Sequence, residues 1–168
     1  MQEWLRRQAT EDEMAAVSSP LRLRILRLCL DASLSNKQIA ERLGKDPASV
    51  LYHVRTLVRT GFLVADGERR GARGAREVPY RATGKSWLMD IDDRPPARRD
   101  PMLQAFLEEV AAVGEGELQS SRLGLRLSAA DLDEFRTRLH ALLDEYARRP
   151  PDLGGERWSL YLGMHPEA

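Results

Sequence analysis

The sequence has one cysteine, no long apolar run and few aromatic residues. A single thiol cannot form an internal disulfide, and Cys29 lies in "LRILRLCL", where a buried apolar residue is favoured over a reactive thiol. No stretch approaches the roughly 20 apolar residues that span a bilayer, and the first residues lack the apolar core of a signal peptide. The sequence therefore predicts a cytoplasmic protein that does not bind a membrane.

Patterns for metal binding and catalysis are also scarce. The three histidines, His53, His140 and His165, are far apart, and the spacing of His140 and Asp144 is common on ordinary helix surfaces. The glycine-rich "GARGAREV" leads into a strand pattern and not a helix, so it does not predict nucleotide binding. Adjacent acidic pairs on helices point apart and form no acid–base dyad. We expect no enzyme activity, no cofactor and no metal site.

The formal net charge of zero conceals a strong asymmetry. Residues 20–85 contain 14 Lys+Arg and 6 Asp+Glu, a net of +8, whereas residues 86–168 contain 10 and 16, a net of −6. The first 19 residues contain 2 and 4, a net of −2, so the three values sum to zero. A basic middle region beside an acidic remainder indicates an anionic partner for the middle region alone.

Two short helices joined by a glycine-containing turn are predicted in the basic region. Ser35 is an N-cap for "NKQIAERLG", which ends at Gly44, and Asp46 with Pro47 starts the next helix two residues later. Gly61 fits a left-handed C-cap for that second helix. Helical spacing predicts a buried stripe of Val50, Val54, Leu57 and Val58. The remaining outward positions are Ala48, Ser49, Leu51, Tyr52, Arg55 and Arg59. This order is a helix-turn-helix pattern.

A hairpin with an arginine-rich tip follows the helix-turn-helix. "FLVAD" and "VPYRA" favour strands, and "GERRGARGARE" between them is a long glycine-containing connection. The polar, proline-containing residues 89–100 are interpreted as a linker, which divides the chain into domains at residues 1–88 and 101–168. The second domain is predicted as helix, strand, helix, strand, with strands at "LQSSRLGLRL" and "RWSLYLGM". The predicted fold class is α+β: a winged helix-turn-helix followed by this small region.

The stretch from "SSPLRLRIL" through "VPYRATGKSW" resembles the ArsR-type winged-helix bacterial repressors over roughly residues 11–88. The resemblance depends on "SPLRLRIL", on "NKQIAERLG" as the support helix and on "ASVLYHVRTLVRTGFL" as recognition helix and strand entry. It implies a homodimeric regulator of transcription that binds double-stranded DNA at half-sites about one helical turn apart. Metal-sensing relatives carry cysteine pairs or His/Asp clusters, whereas this chain has "SNKQIAER" and no second cysteine, which favours a variant that senses no metal.

The resemblance and the residue chemistry together predict a DNA-binding surface. The recognition helix, residues 47–60, is expected in the major groove, and the arginine-rich wing, residues 68–77, in the minor groove. Side chains near the start of the helix are expected at base edges, and the support helix is expected at phosphates. His53 is predicted either to contact a phosphate or to pack inward. The predicted DNA-binding residues are Lys37, Gln38, Pro47, Ala48, Ser49, Tyr52, His53, Arg55, Arg69, Arg70, Arg73 and Arg76.

Two hypotheses remain open for the C-terminal half. In the first, the helices at 101–113 and 128–149 pack against a second copy and form the homodimer. In the second, an apolar or aromatic small-molecule effector binds a pocket lined by Phe106, Phe135, Trp158 and Tyr161. A rival for the whole chain is a protein-interaction module, in which the winged helix and its arginine tip bind an acidic protein.

Overall fold

The computed structural model describes residues 7–70, 76–90, 100–152 and 154–166. These residues divide into two compact units: 7–114 with 160–166, and 115–159. The division follows Gly114, so it does not coincide with the predicted linker, most of which lies outside the described residues. The first unit includes the helix after that linker, because this helix packs on the second helix of the chain, where Arg24 Nη1 and Glu108 Oε2 are 3.1 Å apart.

Four of the five helices that the structure describes in the first unit begin at a side-chain cap, and the helix that starts at Pro20 begins without one. The five helices are α1 (Glu11–Val17), α2 (Pro20–Leu28), α3 (Asn36–Leu43), α4 (Pro47–Arg59) and α5 (Pro101–Val113). Thr10 and Ser35 each form a capping box, with Glu13 and Gln38 respectively. The Asp46 side chain accepts a hydrogen bond from the amide of Ser49. Because these signals are local, the start of each helix was predictable from neighbouring residues.

Short strands complete the winged helix. They are β1 (Arg7–Gln8), β2 (Leu34–Ser35), β3 (Leu63–Ala65), β4 (Arg69–Arg70), β5 (Arg76–Glu77), β6 (Pro79–Ala82) and β7 (Met89–Asp90). The order β2–β6–β3 forms an antiparallel sheet, and the antiparallel pair β4–β5 continues the hairpin toward its tip. The predicted hairpin is therefore confirmed. The parallel pair β1–β7 was not predicted, because two-residue strands carry no periodic signal.

The core of the first unit lies between α2, α3, α4 and the sheet. Most of the predicted stripe of α4 is fully buried, whereas Val58 is 38% exposed and its predicted burial is wrong. Cys29 is also fully buried, and burial raises the pKa of its thiol to about 11. This confirms the interpretation of Cys29 as a packing residue, since a protonated buried thiol is a poor nucleophile. The largest fully buried side chains are Phe62, Ile25, Ile39, Leu57, Leu63, Val50 and Val54.

The unit at residues 115–159 contains a short 3₁₀ turn (Glu115–Glu117) and one long helix, α6 (Ala129–Ala147), capped by Ser128. The two predicted C-terminal strands are wrong for the single chain: residues 118–128 and 156–166 form no strand. A strand needs a neighbour to accept and donate its backbone hydrogen bonds, and the described chain supplies none for these segments. None of the helices in the described part of the chain is long and apolar enough to cross a membrane.

Candidate nucleic-acid interface

The turn between α3 and α4 sets the direction of the exposed helix. Gly44 adopts a left-handed conformation with φ of 60°, and the amide of Lys45 donates to the carbonyl of Ala40 at 3.0 Å. Asn36 Nδ2 donates to the carbonyl of Pro47 at 2.8 Å, which ties the start of α3 to the start of α4. The first bond closes the backbone turn, and the second joins a side chain of α3 to the backbone of α4, so together they hold the two helices at a defined angle.

The first two turns of α4 present small and polar side chains to solvent. The predicted base-edge residues Ala48, Ser49 and Tyr52 are all exposed, and 68% of the Tyr52 surface is free. Arg55 lies one turn further along and is also exposed. Because the opposite stripe of α4 is buried in the core, this face is turned outward as one surface. The structure thus brings these predicted site residues together.

His53 lies half-buried at the edge of this surface. Its Nδ1 is 3.4 Å from Nη1 of Arg22, and the same guanidinium donates to the carbonyls of Ala15 and Ala16 at 2.6 and 2.5 Å. Burial and then the charge of Arg22 hold the pKa of His53 below its ordinary value. The imidazole is therefore neutral at pH 7 and packs against Arg22, so it adds no positive charge to the surface. The predicted phosphate contact stays a prediction.

A cluster of charged side chains supports the other end of α4. Glu13 is largely buried, and its carboxylate accepts hydrogen bonds from Arg7 and from the amide of Thr10. Lys85 Nζ lies 2.5 Å from Glu13 Oε1 and also donates to the carbonyl of Thr60 at 2.6 Å. We name Arg7, Glu13, Lys85 and Thr60 the Glu13 cluster. Sequence reasoning missed it, because residues so far apart along the chain give no pattern of spacing.

The wing contacts the support helix. Nη2 of Arg69 donates a hydrogen bond to Oε1 of Gln38. The same oxygen accepts a hydrogen bond from the Ser35 amide at 3.0 Å. Two predicted DNA contacts, Arg69 and Gln38, thus lie side by side. Lys37 is exposed and pairs with Glu41 at 3.9 Å. Of the other predicted wing residues, Arg73 lies outside the described residues, and only the backbone is described for Arg70 and Arg76.

The four aromatic residues of the effector hypothesis do not form one described group. Phe106 and Tyr161 stack with ring centroids 5.7 Å apart in the first unit. The hydroxyl of Tyr161 donates to Asp100 at 3.3 Å, so this pair secures the start of α5. Phe135 and Trp158 belong to the unit at residues 115–159. Within the described residues, no group of three or more His, Cys, Asp or Glu side chains is placed to hold a metal ion.

Comparison with known proteins supports the helix-turn-helix assignment. A family model described as a helix-turn-helix domain matches residues 17–64, which include α2, α3 and α4. No curated protein sequence matches the chain.

Two solved structures resemble parts of the chain. Reduced HlyU from Vibrio cholerae is 20% identical, with a TM-score of 0.34 over 60% of this chain and 82% of the other. The transcriptional regulator SlyA is 16% identical, with a TM-score of 0.33 over 76% of this chain and 74% of the other. At such low TM-scores the fold assignment depends on the observed elements and on the family model: the first unit is a winged helix-turn-helix.

Proposed function

We propose that this chain is a sequence-specific, DNA-binding transcriptional regulator that acts in the cytoplasm and has no catalytic activity. The observation that carries the proposal is the outward face of α4. Its buried stripe anchors the helix in the core, while Ala48, Ser49, Tyr52 and Arg55 are free to meet a partner. A helix of this diameter fits the major groove of B-DNA, where residues in its first turns reach base edges.

The chemistry of these side chains suits base readout. The Ser49 hydroxyl can donate or accept a hydrogen bond, Ala48 can contact a thymine methyl, and the Arg55 guanidinium can bind guanine through two hydrogen bonds. The excess of eight positive charges over residues 20–85 supplies the attraction to phosphates. The hydrogen bond between Arg69 and Gln38 supports a joint contact of the wing and the support helix with the phosphate backbone of DNA.

The finer features of the proposal are a homodimer and repression. A dimer is supported by the resemblance to ArsR-type repressors, since two recognition helices related by a two-fold axis read a palindromic operator. Repression then requires only that the bound dimer overlap a promoter. A reporter driven by the chain's own promoter should increase in activity when the gene is deleted, and an unchanged or lower signal would argue against repression.

DNA binding is tested by selecting duplexes from a random pool and titrating the chain against a selected half-site by fluorescence anisotropy. We expect Arg55→Ala to weaken binding by about 5- to 150-fold, because one bidentate base contact contributes about 1–3 kcal/mol. Discrimination should also relax at a single base position. The matched control is Arg138→Ala, which removes the same charge from an exposed position of α6.

Equal affinity of the wild type and Arg55→Ala for the selected duplex, or failure of the selection to enrich any sequence, would contradict the proposal. The rival module that binds an acidic protein predicts this second result, together with binding to DNA that ignores sequence.

A further inference from the structure

Helix α6 keeps an apolar stripe that its own unit does not cover. None of its 19 residues is buried. Phe135, Leu142 and Tyr146 follow helical spacing, which usually marks a buried stripe, and yet all three are exposed. Its charged residues are paired along the helix, for example Arg138 with Glu134 at 3.1 Å. The polar side of the helix is thus satisfied within one chain. On the apolar side Arg149 lies over the ring of Tyr146, whereas Phe135 and Leu142 stay 36% and 52% exposed.

The segment before α6 has the pattern of a strand without a neighbour. Leu123, Leu125 and Leu127 alternate along the chain and are 76%, 51% and 40% exposed. No backbone hydrogen bond joins residues 119–127 to another part of the described chain. Alternating leucines and free backbone groups together are the features of a strand edge, which binds another strand through its N–H and C=O groups.

The amount of uncovered apolar surface matches that of a stable interface. Among the described residues of 115–159, six large apolar side chains besides the aromatic residues Tyr146 and Trp158 are exposed: Leu118, Leu123, Leu125, Leu127, Phe135 and Leu142. At roughly 200 Å² for each whole side chain, their exposed parts amount to about 600 Å². A standard protein–protein interface buries about 800 Å² on each partner, and roughly 60% of that area is apolar.

The small net charge of the unit permits a second copy of the same unit as the partner. Residues 115–159 contain seven Lys+Arg and nine Asp+Glu, a net of −2, so two copies repel each other only weakly. This mixed charge suits neither phosphate nor an anionic membrane. A strand can also pair antiparallel with its own copy about a two-fold axis, which buries the same face on both partners.

We propose that the unit at residues 115–159 is a homodimer contact in which residues 121–127 of two copies pair as antiparallel strands. The leucines of both strands and the apolar stripes of both α6 helices are buried in this contact. The inference depends on the proposed homodimer and names its surface. It also explains why "LQSSRLGLRL" has a strand pattern and yet is no strand in the single chain: the neighbouring strand is in the other copy.

The full chain is tested by sedimentation equilibrium. We expect a dimer for the wild type and a dimer dissociation constant at least about tenfold higher for Leu125→Glu, because a buried carboxylate without a partner is unfavourable. Val64→Glu is the matched control: Val64 is 50% exposed, lies in β3 and receives the same new charge. Circular dichroism and half-site DNA binding check that both variants are folded.

Disulfide trapping tests the pairing without disrupting it. Cysteines placed at Leu123, Leu125 and Leu127, oxidised singly and in pairwise mixtures, should give a crosslinked dimer for at least one combination. Val64→Cys should give none. The native Cys29 does not interfere, since it is fully buried and its pKa is raised to about 11.

The outcomes separate the inference from the function it depends on. If the wild type is a dimer and Leu125→Glu dissociates no more readily, the dimer uses another surface and the inference is wrong. A monomeric wild type would overturn both the inference and the homodimer, while half-site binding would still test the DNA-binding function independently. Absence of every crosslink from a dimeric protein would overturn the strand pairing.

Discussion

Glu13 shows how one buried carboxylate connects distant parts of the winged helix. It caps α1 through Thr10, while Lys85 joins it to the carbonyl of Thr60 at the end of α4. The hydrogen bonds from Arg7 and then from Lys85 hold the pKa of Glu13 well below its ordinary value. Glu13 is therefore ionised in the folded protein, and its protonation favours unfolding.

Replacement of this carboxylate should change both stability and its pH dependence. We expect Glu13→Gln to lower the free energy of unfolding at pH 7 by about 1.5–3 kcal/mol, the usual range for hydrogen bonds to a charged group. We assign most of the loss to Lys85, because the Arg7 side chain is half exposed to solvent. Urea denaturation at a series of pH values measures both effects.

The sign of the pH effect follows from the lowered pKa. Stabilisation by Glu13 is complete above its ordinary value of 4.5 and is lost as the pH falls below that value. The difference between wild type and Glu13→Gln should therefore shrink in acid. Glu11→Gln, which removes the same charge from an exposed position of α1, is the control. An equal loss of stability in both variants would exclude a specific role for Glu13.

At the scale of elements, the sequence predicted where helices begin, but it did not predict which distant segments pair as strands. Ser35 and Asp46 cap α3 and α4 as predicted, because the cap and its amide partner are within three residues. Thr10, Asp100 and Ser128 cap α1, α5 and α6 by the same local bonds. The C-terminal strands were predicted from equally regular alternation and are absent from the single chain. Alternation of apolar and polar residues shows that the two faces of a segment differ in polarity. A strand also needs a neighbouring strand to form hydrogen bonds with its backbone N–H and C=O groups.

Gly44 gives a direct test of the helix-turn-helix turn. Its φ of 60° is unfavourable for residues with a Cβ, and a Cβ at this position would contact no atom within 4 Å. Gly44→Ala should therefore cost about 1–2 kcal/mol through backbone strain alone, without a steric clash. Thermal or urea denaturation measures this cost.

Gly44→Asn is the informative control, since asparagine tolerates the left-handed conformation better than alanine. We expect its stability to lie between those of the wild type and Gly44→Ala. If Gly44→Ala is as stable as the wild type, the turn does not require this conformation in solution.

At the scale of the whole molecule, the positive and negative charges lie in different regions of the chain, so the total charge does not describe either region. The formal net charge is zero, yet residues 20–85 carry +8. Attraction to duplex DNA depends on the local excess, because ions screen interactions beyond about 10 Å at moderate salt. We therefore expect salt to weaken DNA binding strongly, although the isoelectric point of the whole chain is near neutral.

The arginines of the wing should account for part of this salt dependence. Replacement of all four by alanine should make the slope of log K against log salt concentration less steep by about 3–4, if each arginine neutralises one phosphate. The variant replaces Arg69, Arg70, Arg73 and Arg76 together, and Arg138→Ala is again the control. Anisotropy titrations over a range of salt concentrations give the slope. An unchanged slope would mean that the wing does not contact the phosphate backbone.

The sequence by itself determined the starts of α3 and α4, the hairpin, the buried character of Cys29 and the outward face of the first turns of α4. Each depends on interactions between near neighbours or on a simple alternation of apolar residues, so each leaves a local pattern. Only the tertiary structure decided that Val58 faces outward, that Arg22 packs against His53, and that Glu13 joins Lys85. It also decided that Leu123, Leu125 and Leu127 lack a covering strand, because contacts between distant segments depend on how the chain folds back on itself.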